Sequence, residues 1–457
     1  MAPLRRIALF LSLALGMLTM SDAADPRPAW AARLDGELAQ IANDPDFTLS
    51  GLSVLAVRDG KIVYEHQLGR RRIDAANAAN DLPIDARTLF RVASISKLVT
   101  ALGVLRLVEA GKLDLDRDLS DYVGYRVRNP HFPGTAVTLR MLLTHTSSLR
   151  DDAGYFWDRA HRLRDALLPG GSLYGRGEAW SSQAAPGALF EYANLPWGLV
   201  GETMEAATGE RFDRLMRRLV LEPLGVPGGF NPAEFTRAEL ADLATLYRKR
   251  ETVDGKDLWR SPQGPWYAQV DDYATQAPVS RAGADYVPGT NGTLMAPQGG
   301  LRTSARGLER ILRMLMEGGR LEGREFLRPA TVEAFFARAW THDAAKANGS
   351  CASESGRPRL FNAWGLGNQH FLDISGPGCG DRLVEGGGFT GAGHLGEAWG
   401  LNGVFVLDRK AREGIIVLVG GVARDPETIP GRYSAHYRHE EWIVTAIHRR
   451  ALRAIAQ

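Results

Sequence analysis

Cysteine is nearly absent: 457 residues contain two, Cys351 and Cys379. A disulfide framework is therefore excluded as the basis of the fold, and neither residue stands at a metal-ligand spacing. Past the first two dozen residues there is no apolar run long enough to span a bilayer. No basic run and no aromatic-basic stripe occurs, and 55 Lys and Arg against 53 Asp and Glu leave a formal charge of +2. Nucleic acid is accordingly not an expected partner. Internal repeats and low-complexity linkers are missing as well. With 44% apolar and 24% charged residues, the chain has the composition of a packed globular protein.

The N-terminus carries Arg5 and Arg6, then the apolar run Ile7 to Met20, then Ser21-Asp22-Ala23. A short apolar core between basic residues and small ones is the pattern of a signal peptide. Residues 1–23 are read as that signal, cleaved after Ala23, and the mature protein as periplasmic. Export to an oxidising compartment leads us to expect a Cys351–Cys379 bridge across a Gly/Ser/Pro-rich loop.

A polar helical lead-in runs from Trp30 to Asn43. Leu52 to Gly69 reads as a hairpin turning at Asp59-Gly60. Leu98, Ala101, Leu102, Leu105 and Val108 then mark one face of a helix stopped by Gly111. From 112 to about 290, helical patterns such as Trp197–Ala207 and Phe212–Leu221 alternate with Pro/Gly-rich connections. The aromatics of Gly255–Pro288 (Trp259, Trp266, Tyr267, Tyr273, Tyr286) either border a cleft or anchor a satellite core. A helix follows from Ser304, then strands at Trp364–Leu372, Gly403–Leu407 and Ile415–Val419, and a closing helix over Glu440–Ala454. Strands at both ends with helices between them predict an α/β (α+β) body from 24–110 and 290–457. Its antiparallel sheet is flanked by helices, and an all-α lobe, 111–289, is inserted.

Ser94-Ile95-Ser96-Lys97 opens the first helix after the hairpin, and no other serine has a lysine three positions on. Residues i and i+3 share a helix face, so Lys97 lies beside the Ser94 hydroxyl. A serine hydroxyl needs such a neighbour to act as a nucleophile; a capping serine followed by a solvated lysine is the plain alternative. Tyr192-Ala193-Asn194 lies on a loop before a helix. His394-Leu395-Gly396 sits in the glycine-dense stretch Glu385–Gly403, directly before a strand pattern. A small residue there admits a substrate to the strand edge, and the histidine supplies a donor or cation. His436 and His439, beside Glu440 and Glu441, are of zinc-ligand type but lack two further placed ligands, so no metal site is expected.

These three motifs occur in the order found in the serine β-lactamase and penicillin-binding protein superfamily. The chain resembles its class C β-lactamase-related branch, which uses Tyr-x-Asn with Lys-Thr-Gly or His-x-Gly. Phe90–Asp116, Leu142–Ser147 and Gly299–Ala305 are similar to further blocks of that family, and the resemblance covers roughly residues 45 to 425. It implies that Ser94 forms an acyl-enzyme and that Lys97 and Tyr192 share the proton transfers. Asn194 would hold a substrate amide, and His394 would anchor the substrate from the opposite wall. Gly396 would let the substrate lie along the strand, with the oxyanion held by the backbone N–H groups of Ser94 and Glu397. His145 would buttress the helical lobe. Two positions depart from the family pattern: Leu395 lacks the hydroxyl that threonine would offer, and Ser148 replaces a glycine. The resemblance implies β-lactam hydrolysis first, with D-alanyl peptide, D-amino-acid or ester hydrolysis as the alternative. A non-catalytic β-lactam or wall-fragment binder is the remote third. A monomer acting on a small molecule, with no cofactor, is expected.

Overall fold

The computed structural model describes residues 27–453 apart from 255 and 354. The expected signal segment lies outside the described residues, as does the end of the closing helix. Among the described residues no helix is long and apolar enough to cross a membrane.

Helix α1 (Ala29–Ala42) leads into the hairpin of β1 (Leu49–Arg58) and β2 (Lys61–Arg72). Asp59 and Gly60 both have positive φ, 50° and 73°, the geometry that matches the right-handed twist of the flanking strands. Helix α2 (Ile95–Glu109) follows the nucleophile turn. It closes as the sequence predicts. Gly111 has φ +66°, its N–H donates to the Val108 carbonyl, and the Lys112 N–H donates to that of Leu107, which together form a Schellman cap. The middle of the chain holds α3 (Leu195–Thr208) and then β3 (Leu246–Arg248). Helix α4 (Ala305–Met316) starts at Ser304, whose hydroxyl accepts from the Gly307 N–H. The last third supplies β4 (Ala363–Trp364), β5 (Gln369–Phe371), β6 (Gly391–Ala398), β7 (Leu401–Asp408) and β8 (Glu413–Val422). Helix α5 (Arg438–Ile447) follows.

The strands run in the order β4-β5-β6-β7-β8-β1-β2, each antiparallel to its neighbour. The N-terminal hairpin thus adds to the C-terminal meander through β1 and β8. Both faces of the central strands are buried. Leu52, Val54, Ile415 and Val417 share one cluster with Leu34 and Leu38 of α1 and Ile443 and Ile447 of α5. Leu55, Val57, Ile416 and Leu418 point the other way, into the cluster of α2 and α4. Helices on both faces explain why these strands read as nearly continuous apolar runs.

Three expectations are corrected, and one open alternative is decided. Trp364–Leu372 is not one strand: Gly365-Leu366-Gly367-Asn368 turns it, Gly367 having φ +77°, so β4 and β5 pair as a hairpin. The inserted segment is helical up to Asp242 and then departs from an all-α lobe. Its strand β3 joins the sheet parallel to β8 at Gly421 and Val422, because a short extended run next to an open sheet edge satisfies its backbone there. Cys351 and Cys379 are free thiols. Cys351 packs against the α1/α5 cluster whereas Cys379 closes a tight turn on Gly376, so each sulfur belongs to a different local structure. Of the two readings of the aromatics between 256 and 288, the satellite one holds. Trp259 and Trp266 lie under Arg248 and Lys249, Tyr273 joins a small cluster with Phe235, and Tyr286 donates to buried Glu205.

Candidate active site

The turn before α2 is held from several sides. Ala93 has φ +46°, a left-handed conformation that costs a non-glycine residue about 1–2 kcal/mol. The surroundings enforce it. Val92 donates to the Leu301 carbonyl, and the Ser96 hydroxyl accepts from the Leu301 N–H at 3.0 Å. Phe90 and Arg91 pair with Thr303 and Arg302. The Gly299–Ala305 segment therefore serves as the bed of the nucleophile turn. Ser94 caps α2 in position only: its side chain makes no cap hydrogen bond, which sets aside the capping alternative and leaves its Oγ for Lys97.

Lys97 is fully buried. Its Nζ lies 2.8 Å from Ser94 Oγ, 2.7 Å from Asn194 Oδ1 and 3.2 Å from the Gln298 carbonyl, acceptors for the three N–H bonds of an ammonium. The ring of Tyr192 stands 4.8 Å from the same nitrogen. Tyr192 is clamped between His145 and Phe361, stacked at 4.4 and 4.8 Å, and meets Trp364 edge-on. His145 thus belongs to the site itself rather than to the lobe beside it. Its Nδ1 accepts from the Ala193 N–H at 3.2 Å, which fixes the backbone between Tyr192 and Asn194.

Asn194 is oriented by two opposite charges. Oδ1 accepts from Lys97, and Nδ2 donates to Asp151 at 3.0 Å. The Asp151 carboxylate also accepts from the backbone N–H groups of Asn194 (2.8 Å) and Leu195 (2.8 Å), so it caps α3. Part of the Asn194 amide is committed to the protein and not to a substrate.

The third motif lies inside β6, not before a strand. Its glycines are demanded by close approaches: a Cβ at Gly393 would meet the Phe405 carbonyl at 1.9 Å, and one at Gly396 the Val92 carbonyl at 2.6 Å. Gly396 therefore admits the nucleophile turn rather than a substrate. Strand β5 pairs only with Gly391–Gly393, so beyond Gly393 this side of β6 is an open edge among the described strands. His394 is buried, with Nδ1 2.6 Å from the Leu395 carbonyl. That contact makes Nδ1 the protonated nitrogen and Nε2 an acceptor. Burial, then the neighbouring Lys97, push its pKa down to about 3. Of the two roles left open for this histidine, donor or cation, the neutral one is favoured, because an imidazolium would be desolvated beside an existing charge.

Ser94, Tyr192, His394, Leu395 and Glu397 line one cleft of about 310 Å³. Three of its other lining residues escaped the sequence reading: Arg248, Arg357 and Trp399. Arg357 binds Glu397 at 2.7 Å and lies 3.5 Å from Glu440, and Tyr437 donates to the other Glu397 oxygen at 2.7 Å. No motif spacing announces them, since each reaches the cleft from a distant segment. His436 and His439 are core residues, stacked on Phe371 and on Tyr437. Among the described residues no group of three ligand-type side chains could hold a metal.

Comparison with known proteins agrees with this architecture. D-amino acid amidase from Ochrobactrum anthropi SV3, in complex with L-phenylalanine amide, superposes with a TM-score of 0.60 at 18% identity, covering 93% of this chain and 99% of that one. The octameric penicillin-binding protein homologue from Pyrococcus abyssi gives 0.58 at 21% identity over 85% and 73%; both likenesses concern the fold. In sequence, the chain is 34% identical to esterase EstB of Burkholderia gladioli over 45% of its length and 52% of the esterase. It is 28% identical to the D-alanyl-D-alanine-carboxypeptidase/endopeptidase AmpH of Escherichia coli K12 over 47% and 54%. The chain thus spans about half the length of these curated relatives. The Beta-lactamase family model, however, matches residues 39–436: the chain belongs to the beta-lactamase family.

Proposed function

We propose that the protein is a serine acyl hydrolase in which Ser94 attacks a carbonyl and carries the acyl group until water releases it. The observation that carries this reading is the 2.8 Å contact of Lys97 Nζ with Ser94 Oγ within a buried network at the cleft. In the first step Tyr192, ionised beside the Lys97 ammonium, takes the Oγ proton as the Ser94 Oγ–C bond forms, and returns it to the alcohol or amine as the bond from the acyl carbon to that group breaks. The backbone N–H groups of Ser94 and Glu397 are proposed to hold the oxyanion, a donor typically being worth about 10²–10³ in rate. In the second step water attacks the acyl carbonyl and returns the proton to Oγ. His394 acts as a neutral wall with an acceptor nitrogen, not as a charged anchor.

Carboxylic esters and amides are the first substrate class, because neither His394 nor Leu395 supplies the cation or hydroxyl that would grip a β-lactam carboxylate. β-Lactam hydrolysis is the second reading, favoured by the cations Arg248 and Arg357 on the same cleft. The test is turnover of a short-chain 4-nitrophenyl ester, a D-alanyl-D-alanine peptide and a chromogenic cephalosporin by the mature protein and by Ser94→Ala. Loss of at least about 10³-fold in the variant is expected, in line with the removal of a nucleophile. Turnover retained by Ser94→Ala on every substrate that the wild type cleaves overturns the assignment.

A further inference from the structure

We infer that Arg248 is the substrate anchor of this cleft, selecting acyl substrates that carry a carboxylate. The inference rests on the hydrolase reading above and deepens it. Two cations line the cleft with Ser94, Arg248 and Arg357, and they differ in what they already hold. Arg357 is engaged by Glu397 and Glu440 and lies over the Tyr437 ring at 4.2 Å. The oxygens of Glu397 are in turn taken by Arg357 and Tyr437. Arg248 is half-buried, and among the described residues its guanidinium forms no hydrogen bond or ion pair; its one partner is the Trp259 ring, 5.8 Å away. The charged or titratable groups that act on it are Arg250, Glu397, Tyr437 and Asp425, and burial opposes its charge more than any of them.

Holding a guanidinium partly out of water without a counter-ion costs free energy. The sheet fixes it there nonetheless: β3 is clamped between β8 and the strand Tyr267–Val270, so Arg248 cannot swing wholly into solvent with its backbone. A planar fork of donors at the edge of a cleft is the geometry that receives a carboxylate in two parallel hydrogen bonds. The opposite observation is on the third motif. Burial and Lys97 favour the neutral form of His394, and Leu395 is apolar, so the third motif offers a carboxylate no cation. The positive charge of the cleft has moved from β6 to β3.

Two matched ester pairs test this. 4-Nitrophenyl hemiglutarate against 4-nitrophenyl butyrate places the charge on the acyl side. 4-Acetoxybenzoate against phenyl acetate places it on the leaving side. The wild type is expected to prefer the anionic member of at least one pair. Arg248→Ala should lower that anionic-to-neutral ratio of kcat/KM about 10- to 100-fold, the scale of a charge-assisted hydrogen bond. Arg248→Lys should recover part of the ratio, and added salt should lower it in the wild type only. Calorimetric titration of the preferred anionic ester into Ser94→Ala, with and without Arg248→Ala, reads the anchor without turnover. Equal affinities, or an unchanged ratio, overturn the anchor while leaving the nucleophile standing. Undiminished turnover in Ser94→Ala sinks the hydrolase reading instead.

Discussion

Asp151→Ala is the perturbation that most directly probes how the site is held. The carboxylate accepts from the backbone N–H groups of Asn194 and Leu195 and from the Asn194 side chain, so one residue both caps α3 and orients the partner of Lys97. Losing a helix cap costs about 0.5–2 kcal/mol, and losing a negative charge at a helix N-terminus adds about 0.3–1. Losing the hydrogen bond between the Asn194 amide and a carboxylate contributes about 1–3 more. These terms overlap, so the expected destabilisation is about 2–4 kcal/mol. The kinetic effect follows from Lys97. With the Asp151 contact gone, Asn194 is held less firmly and Oδ1 can shift from Nζ, and a displacement on the order of 1 Å in such a site can cost about 10²-fold in rate. The assay is a urea melt paired with steady-state kinetics on whichever ester the wild type turns over. We expect a lower midpoint and a kcat reduced about 10–100-fold with KM changed far less. Asp151→Asn should recover part of the stability, because its carbonyl still accepts, and little of kcat, because its NH₂ faces the donors of Asn194. A variant that loses stability but keeps wild-type kcat would reduce Asp151 to a cap and refute the coupling to Lys97.

Three other outcomes are expected. Burial pushes Glu202 up to about 8 from 4.5, so the unfolded chain releases that proton first and stability is lost as pH rises from 4.5 to 8, with no loss below 4.5. Glu202→Gln should melt higher than the parent at pH 8.5, with the advantage vanishing near pH 4.5. His439 is pushed down to about 3 by burial and then by Arg357. The unfolded chain therefore takes up that proton first, and stability is lost as pH falls below 6.5. His439→Phe should lose less Tm than the parent between pH 6.5 and 5; an equal loss would assign the acid sensitivity elsewhere. Trp399 and Gly400 form the two-residue turn between β6 and β7 with φ of 59° and 105°, and Trp399 is 48% exposed at the cleft. Trp399→Asn places Asn-Gly, the preferred pair for such a turn, and should raise Tm while lowering kcat/KM; unchanged kinetics would show that the strained indole serves no substrate.

What could be read in the sequence was what local rules govern. Asp59-Gly60, Gly111 and Ser304 each act within one turn of chain, and their geometry followed from residue type. Ser94 and Lys97 were legible for the same reason, since helical periodicity alone puts them together. Asn194 needed its motif, and Asp151, 43 residues away in sequence, had no signal at all. The glycines of β6 were visible as a cluster, yet their reason was not: only the assembled sheet shows that Gly396 makes room for the Val92 carbonyl. The charge state of His394 was likewise hidden. Residue type offers either form, and burial beside Lys97 decides between them.

That decision shapes the cleft as a whole. Lys97 is a buried cation whose hydrogen bonds run to Ser94, Asn194 and the Gln298 carbonyl, and its charge adds to the effect of burial on the residues around it. His145 and His394 are both driven toward the neutral form by burial first and Lys97 next. A second charge on β6 would face the first across a dry wall, where low dielectric strengthens repulsion. The protein instead keeps the charge that handles the proton on α2 and carries a further one on β3, where Arg248 meets the same cleft from another element. Separating the two lets the strength of substrate anchoring vary without disturbing the Ser94–Lys97 contact. An exchange at position 248 should therefore alter which acyl groups are accepted, whereas an exchange at 394 toward a permanent cation should disturb the chemistry itself.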